Sequence, residues 1–181
     1  VLEDMVASGE LTLSEKQILV AMSENEGKLD SVQSYDSEIL TAGAMQKTIN
    51  PQGKGEFPTQ VALFKSTNPN DYVDLFEQCG WSVEGTGTSA VMYYTHATLT
   101  QNSKITGAAL KELIRRDCSA EKFNKVVENI PLASIVNAIT SKMFEKRQIM
   151  DFIDRLRDVV LPRNPGNYNH PISEYFLSDL G

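Results

Sequence analysis

The chain has little of the chemistry that builds metal centres or disulfide frameworks. Its 181 residues include two cysteines, Cys79 and Cys118, and two histidines, His96 and His170. No CxxC, HExxH or paired-histidine spacing occurs, so the sequence predicts no structural or catalytic metal site, and no metal or organic cofactor is expected. The two cysteines allow at most one disulfide, and the sequence leaves open whether they pair.

Long apolar runs and an excess of basic residues are also absent. No segment approaches the ~20 apolar residues of a membrane-spanning helix. The 17 Lys and Arg residues are outnumbered by 24 Asp and Glu residues, which gives a formal net charge of −7. A protein that binds nucleic acid needs a basic face for the phosphates, so we expect neither a membrane span nor a nucleic-acid partner.

Two common enzyme signatures are missing as well. There is no Gly-x-Ser-x-Gly nucleophile elbow,. The glycine-rich stretch Gly85-Thr86-Gly87-Thr88 lacks both the lysine of a phosphate-binding loop and the third glycine of a dinucleotide fingerprint,. These absences exclude the serine hydrolases of that type and the nucleotide-binding classes.

What remains is the composition of one ordinary globular domain. Hydrophobic residues make up 41% of the chain and charged residues 23%, close to the globular average,. A length of 181 residues fits a single domain over residues 1–181,. Because the chain opens with Val1 rather than Met, we expect this domain to come from a longer multidomain protein.

Helical periodicity dominates the pattern. Thr12 followed by Glu15 forms a capping box ahead of a helix over residues 12–25,. Further helices are predicted over residues 59–66, 71–79, 105–117, 120–129 and 131–160, the last as one long helix or two abutting ones,.

The remaining stretches are less regular. The pattern over residues 28–55 predicts a polar loop with a short extended piece at 34–40,. The pattern over residues 81–100 predicts a small hairpin or an irregular stretch,. The predicted fold class is therefore α+β, predominantly α, with a small β element.

Two glutamates near the end of the first predicted helix face different ways. At about 100° per residue, Glu26 lies about 40° from Met22 and extends its apolar stripe, whereas Glu24 points to the opposite side. A carboxyl group among apolar neighbours has a raised pKa, which suits the general acid of a glycosidase. A backbone amide or an arginine partner is the ordinary alternative for an inward-facing glutamate.

A second acid and a glycine turn follow within twenty residues of Glu26. Asp36 stands in Ser-Tyr-Asp-Ser-Glu, and Gly43 opens Gly-Ala-Met-Gln. Asp36 is a candidate carboxylate across a cleft from Glu26, or alternatively the side chain of an Asx turn. Glu38, with the same parity in an extended segment, is the substitute candidate.

These motifs resemble the lysozyme-like superfamily. Glu26-Gly27-Lys28-Leu29 and the later Gly43-Ala44-Met45-Gln46 are similar to the helix-terminal glutamate and glycine turn of goose-type lysozymes and lytic transglycosylases. They also resemble muramidase domains of bacterial antibacterial effectors and phage lysins. The resemblance covers residues 18–49 and implies a lysozyme-like domain in which Glu26 is the general acid and Asp36 assists water attack.

The resemblance also implies residues that contact the sugar. The candidates are Tyr35, Thr41, Gly43, Gln46 and Tyr94. Thr41 would orient water or bond a sugar hydroxyl, unless its hydroxyl bonds the backbone. Gln46 offers a donor and an acceptor to an N-acetyl group or to the loop backbone, and Gly43 permits close backbone approach. Tyr94 belongs with Tyr93 to the aromatic pair nearest to the Ala-Tyr-Asn-Ala-Gly motif of transglycosylases, and core packing is the alternative for one of the two. The absence of that motif favours hydrolysis.

The sequence thus predicts a muramidase that cleaves the β-1,4 bond between N-acetylmuramic acid and N-acetylglucosamine in peptidoglycan. The partners expected with this function are glycan strands and an immunity or inhibitor protein, and the expected location is outside the cell or in the periplasm of a target bacterium. The alternatives are a chitosanase or chitinase, since a polycationic substrate suits an acidic protein, and a non-catalytic module that binds cell-wall glycan.

Overall fold

The computed structural model describes residues 1–26, 28–34, 36–43, 45–116, 128–163, 166 and 171–175, and for residues 25, 26 and 175 it describes the backbone alone. The predicted contributions of Gly27, Tyr35 and Cys118, and the predicted helix at 120–129 up to residue 127, lie outside the described residues. Cys79 is a free thiol.

The fold is α+β and predominantly helical, which confirms the predicted class. The described helices are α1 (Leu2–Ala7), α2 (Leu13–Glu26), α3 (Glu56–Thr67), α4 (Pro69–Tyr72), α5 (Gly107–Arg115), α6 (Ile130–Ile139), α7 (Lys142–Arg155) and α8 (Ile172–Tyr175). π-Helical turns follow α4 at Val73–Glu77 and α7 at Leu156–Val160. The strands are β1 (Val32–Gln33), β2 (Leu40–Ala42), β3 (Lys47–Ile49), β4 (Trp81–Glu84) and β5 (Val91–Tyr94).

The predicted capping box at the start of α2 is confirmed. The Thr12 hydroxyl accepts a hydrogen bond from the Glu15 backbone N–H at 3.2 Å, and Glu15 Oε2 accepts one from the Thr12 backbone N–H at 2.8 Å. The two reciprocal bonds satisfy backbone donors that the first turn of a helix leaves free. The first helix of the chain, α1, was not predicted.

The prediction of a loop over residues 28–55 is wrong in one respect, because these residues include a three-stranded antiparallel sheet in the order β1-β2-β3. Of the predicted extended piece at 34–40, residues 36–39 form a bend and only Leu40 belongs to a strand, β2. These strands are two or three residues long, and all three residues of β2 are buried. A strand buried on both faces has no alternation of polar and apolar residues for a sequence reading to detect.

The hairpin predicted over residues 81–100 is confirmed as the antiparallel pair β4 and β5, with Trp81 opposite Tyr94. The segment over residues 131–160 contains two abutting helices, which is one of the two predicted forms. The break lies at Ser141, whose hydroxyl accepts the Phe144 N–H at 3.3 Å and so caps α7,.

Helix α7 contributes to both hydrophobic clusters of the core. Its Phe144 contacts the rings of Phe57, Phe64 and Phe76 in the larger cluster, which also takes up the buried residues of the three-stranded sheet. Its Ile149 and Ile153 belong to a smaller cluster with residues of α1 and α2. Both the end of α2 and the sheet are therefore positioned against α7.

Within the described residues, none of the helices is both long enough and apolar enough to cross a membrane.

Candidate functional site

Helix α2 ends at Glu26, where the sequence predicts a helix-terminal general acid. Leu19 is buried and Met22 packs against the smaller cluster, so the predicted apolar stripe lies against the protein. Glu24 is exposed, as predicted. The side chain of Glu26 lies outside the described atoms, and its inward orientation stays a prediction.

A tight turn connects the end of α2 to the sheet. The Ser31 backbone N–H donates to Lys28 O at 3.0 Å, and the Ser31 hydroxyl accepts the Lys28 N–H at 3.0 Å. Strand β1 then begins at Val32. The helix-terminal glutamate is therefore separated from the first strand by only five residues.

Asp36 lies in the bend before β2 and is half-buried. Its Oδ1 accepts the backbone N–H of Glu38 at 2.9 Å, which is the Asx turn that the sequence left as one alternative,. The Ser34 hydroxyl donates to Ile39 O at 2.7 Å and closes the same bend. The Asx turn fixes the direction of the Asp36 carboxylate, and Glu38 serves this turn through its backbone.

Two cations that sequence reasoning missed lie against the Asp36 bend. Lys111 Nζ donates to Asp36 O at 3.0 Å and to Ser37 O at 2.7 Å. The Arg115 guanidinium donates to Asp36 O at 2.7 Å and, through Nε, to Ser34 O. Both residues belong to α5, about 75 residues further along the chain. The only sequence signal was two like charges four positions apart on one helix.

Thr41 occupies the middle of the central strand, opposite Gln33 in β1 and Thr48 in β3. Its side chain is 3% exposed, and its hydroxyl has no hydrogen-bond partner among the described residues. The structure therefore does not support the alternative in which the Thr41 hydroxyl bonds the backbone. A buried hydroxyl without a partner is costly, which makes Thr41 a candidate contact for a water molecule. Its burial leaves a sugar no direct access to it.

Gly43 forms the turn that leaves β2. Its φ is +76°, and its N–H donates to Ser31 O at 2.8 Å. A Cβ at this position would collide with Gln148 Oε1 of α7, so both the conformation and the space require glycine,. Gln46 is exposed, and its backbone N–H donates to Gly43 O at 3.0 Å, which closes the turn before β3.

Tyr94 does not join these residues. It is 0% exposed in β5, where its ring packs edge-on against Trp81 with 5.2 Å between centroids. Burial raises the pKa of its phenol. A fully buried ring has no face to offer a sugar, so the predicted substrate contact through Tyr94 is not supported. Tyr35, the other predicted aromatic contact, lies outside the described residues.

A cleft of about 470 Å³ begins at the turn between β2 and β3. Met45 and Lys47 line it on the sheet side, Thr59 on α3, and Asp151 and Arg155 on α7. A second cleft, of about 370 Å³, is lined by residues on both sides of Glu26 in the sequence, including Ser23 and Lys28. The end of α2 and the three-stranded sheet are thus bordered by space of the size that small ligands and sugar units occupy.

A charged network that sequence reasoning also missed borders the larger cleft. Asp151 Oδ2 accepts hydrogen bonds from Lys47 Nζ and Gln60 Nε2, each at 2.7 Å, and Arg147 binds Oδ1 at 2.5 Å. The side chains of Lys47, Asp151 and Arg147 are only 11 to 15% exposed. The network joins β3, α3 and α7 at one carboxylate.

Within the described residues, no group of three or more His, Cys, Asp and Glu side chains is arranged to hold a metal ion. The chain matches no protein-family model, and neither a curated protein nor a solved structure matches it significantly.

Proposed function

We propose that the chain is a muramidase, a glycoside hydrolase that cleaves the β-1,4 bond between N-acetylmuramic acid and N-acetylglucosamine in peptidoglycan. One observation carries the proposal. Helix α2 ends at Glu26, and the three-stranded sheet follows it in the chain. The central strand of that sheet comes directly after the Asp36 bend and carries the buried hydroxyl of Thr41, which has no partner among the described residues. The proposed acid, second carboxylate and hydroxyl thus lie within residues 26–41 of the chain.

The chemistry requires a different role for each carboxyl group. Glu26 protonates the glycosidic oxygen of the leaving group, as the general acid of a glycosidase does. Asp36, ionised, activates or positions the water that attacks the sugar. An inverting mechanism of this kind leaves roughly 6.5–9.5 Å between the two carboxyl groups, so that the water fits.

Two clefts, one near the end of α2 and one at the turn between β2 and β3, have room for sugar units, although Asp36 and Thr41 line neither of them. The larger cleft starts at Met45 and Lys47, next to the turn of Gly43 and Gln46, and offers hydroxyl groups at Thr59 and Thr88. Gly43 is buried and its N–H and C=O are bonded to Ser31 and Gln46, so its part in the proposal is to shape the turn that carries Gln46. Gln46, exposed in the same turn, is the candidate contact for an N-acetyl group.

The charge of the chain bears on how it meets its substrate. A net charge of −7 disfavours long-range attraction to the anionic peptidoglycan,. We therefore propose that the domain is secreted or delivered into the periplasm of a target bacterium, with an immunity or inhibitor protein as a partner. Activity of the isolated domain should rise with added salt, because salt screens the repulsion. Salt-independent activity would contradict this account.

A chitosanase is the second candidate function. The observation that favours it is the same net charge of −7, since a polycationic glycan is attracted to an acidic protein,. Digestion of chitosan and peptidoglycan by the same preparation distinguishes the two substrates.

Mass spectrometry of the soluble fragments from purified peptidoglycan tests the proposal. The proteins to compare are the wild type, Glu26→Gln and, as a matched control, Glu24→Gln, which changes an exposed glutamate of the same helix. We expect reducing-end muropeptides from the wild type and the control, and a loss of ~10²-fold or more in Glu26→Gln.

The other outcomes are equally informative. Fragments with 1,6-anhydro ends would identify a lytic transglycosylase and remove Asp36 from the mechanism. No fragments from any of the three proteins would overturn the muramidase proposal. If none of the three proteins digests peptidoglycan but all three bind its glycan equally, the domain is a non-catalytic glycan-binding module.

A further inference from the structure

The bend that carries Asp36 is held from outside by helix α5. The backbone carbonyl groups of Ser34, Asp36 and Ser37 accept hydrogen bonds from the side chains of Lys111 and Arg115. Neither cation pairs with the Asp36 carboxylate in these contacts. Both bind the main chain instead, so they fix the path of the bend and leave the direction of the carboxylate to the Asx turn.

Helix α5, which carries these two side chains, is anchored in the hydrophobic core. Leu110, Leu113 and Ile114 of α5 are buried in the larger core cluster. Asn129 Nδ2 donates to Leu113 O at 3.1 Å and to Ile114 O at 2.9 Å, which satisfies carbonyl groups at the end of the helix,. The positions of Lys111 and Arg115 are thus determined by the core and not by the bend.

The placement of Lys111 and Arg115 on the same helix costs electrostatic free energy. Lys111 and Arg115 stand four positions apart, so they lie on one face of α5 and repel each other,. Carbonyl oxygens offset this repulsion because hydrogen bonds from charged donors are stronger than neutral ones. An exposed surface bend would not need two charged donors, whereas a bend that must hold one carboxylate in one place does.

We propose that Lys111 and Arg115 are positioning residues that hold Asp36 at the distance from the sugar at which it directs water. This inference rests on the proposed function, in which Asp36 assists the attack of water. Misplacement of a reacting group by about 1 Å can cost ~10²-fold in rate, so a tether of this kind acts on the chemical step and not on substrate affinity.

The first experiment measures the tether without any assay of activity. Amide hydrogen exchange, followed by NMR, compares the wild type with the double variant Lys111→Met/Arg115→Met. The Glu38 N–H, which bonds Asp36 Oδ1, should exchange ~10-fold faster in the double variant, while the amides that pair β2 with β3 stay within about twofold,. Equal exchange of the Glu38 amide in both proteins would overturn the proposal.

The second experiment uses turnover of peptidoglycan fragments. We expect kcat to fall ~10-fold or more in Lys111→Met and in Arg115→Met with KM changed less than about threefold, and Arg115→Lys to recover part of the loss because it keeps a charged donor. The matched control is Lys104→Met, which removes a lysine that pairs with Glu84 on the hairpin, away from the bend.

The outcomes separate the two proposals. A wild type that degrades no peptidoglycan contradicts the proposed function, whatever the exchange rates. An active wild type whose Arg115→Met and Lys111→Met variants keep their kcat overturns the positioning role. A fall in kcat that Lys104→Met shares, or one that Arg115→Lys does not recover at all, overturns it as well.

Discussion

Lys47, the first residue of β3, donates a hydrogen bond to Asp151 of α7 with 2.7 Å between Nζ and Oδ2. The two residues are 104 positions apart in the chain. Gln60 of α3 and Arg147 of α7 bind the same carboxylate. A single aspartate therefore ties the three-stranded sheet to the helices on the far side of the larger cleft.

We expect Asp151→Asn to destabilise the fold by about 3 kcal/mol, because it leaves Lys47 largely buried without a counter-ion and leaves Arg147 only the exposed Asp154,. Urea unfolding monitored by circular dichroism measures the change. The matched control is Asp154→Asn, since Asp154 also binds Arg147 but is 52% exposed. The control should cost less than about 1 kcal/mol, and equal losses in the two variants would contradict the structural role given to Asp151.

A second ion pair makes stability depend on pH. Arg157 Nε donates to Glu15 Oε1 at 2.5 Å, and this contact lowers the pKa of Glu15 from 4.5 to about 2. A carboxyl group whose pKa is lower in the folded state stabilises the fold fully above the unfolded value. The contribution is therefore present above about pH 4.5 and is lost as the pH falls toward about 2.

The measurement is the free energy of unfolding of the wild type and of Glu15→Gln at a series of pH values in that window. The difference should be about 1 kcal/mol near neutrality, since Arg157 is 41% exposed and water screens the pair, and should vanish at low pH,. Glu24→Gln, an exposed change in the same helix, is the control and should run parallel to the wild type. A difference that persists at the lowest pH would show that the lost stability does not come from the ionised pair.

The sequence predicts features that depend on neighbouring residues better than features that depend on residues far apart in the chain. The capping box of Thr12 and Glu15 and the hairpin around Gly85 are local, and both were predicted correctly,. Helix α1 was missed because the residue before it, Val1, provides no side-chain cap and the helix has only six residues,.

The candidate site divides in the same way. Asp36, Thr41 and Gly43 were identified because they follow one another within a single short segment. The contacts of Arg115 with the Asp36 bend and of Lys47 with Asp151 link residues about 80 and 104 positions apart, and no spacing rule announces them. Tyr94 shows the opposite error, since an aromatic residue in a strand looks the same in sequence whether it faces a ligand or the core,.

Gly43 and Gly9 offer a matched pair for measuring the packing of the turn after β2. Their φ angles are nearly equal, +76° and +77°, but a Cβ at Gly9 would meet open space whereas one at Gly43 would collide with Gln148. Gly9→Ala should cost about 1 kcal/mol for its conformation, and Gly43→Ala about 3 kcal/mol, because the buried Gln148 must also move,.

Thermal or urea unfolding of the two variants checks this difference. Gln148 Nε2 donates to Ile139 O at 3.0 Å, so moving the side chain endangers that hydrogen bond. In a Gln148→Ala background the collision disappears, and the extra cost of Gly43→Ala over Gly9→Ala should largely vanish. Equal costs for the two glycine variants in the wild-type background would mean that the turn has room that the structure does not show.

Substitution of Thr41 is expected to affect activity without lowering the free energy of unfolding. Its buried hydroxyl has no partner among the described residues, so Thr41→Val removes an unsatisfied polar group and keeps the shape of the side chain,. We expect its free energy of unfolding to stay within about 0.5 kcal/mol of the wild type or to rise. Thr100→Val is the contrasting control, because the Thr100 hydroxyl accepts the His96 N–H at 2.9 Å and donates to His96 O at 3.0 Å. That variant should lose about 1–2 kcal/mol.

Activity should respond in the opposite order. If the Thr41 hydroxyl holds a water molecule that the reaction needs, Thr41→Val lowers peptidoglycan turnover ~10-fold or more. Thr100→Val, in the segment after β5, leaves turnover unchanged at temperatures where the protein is folded. A stable and fully active Thr41→Val protein would remove Thr41 from the mechanism. A Thr41→Val protein as unstable as Thr100→Val would show instead that the hydroxyl is paired in the folded state, so that its function is structural.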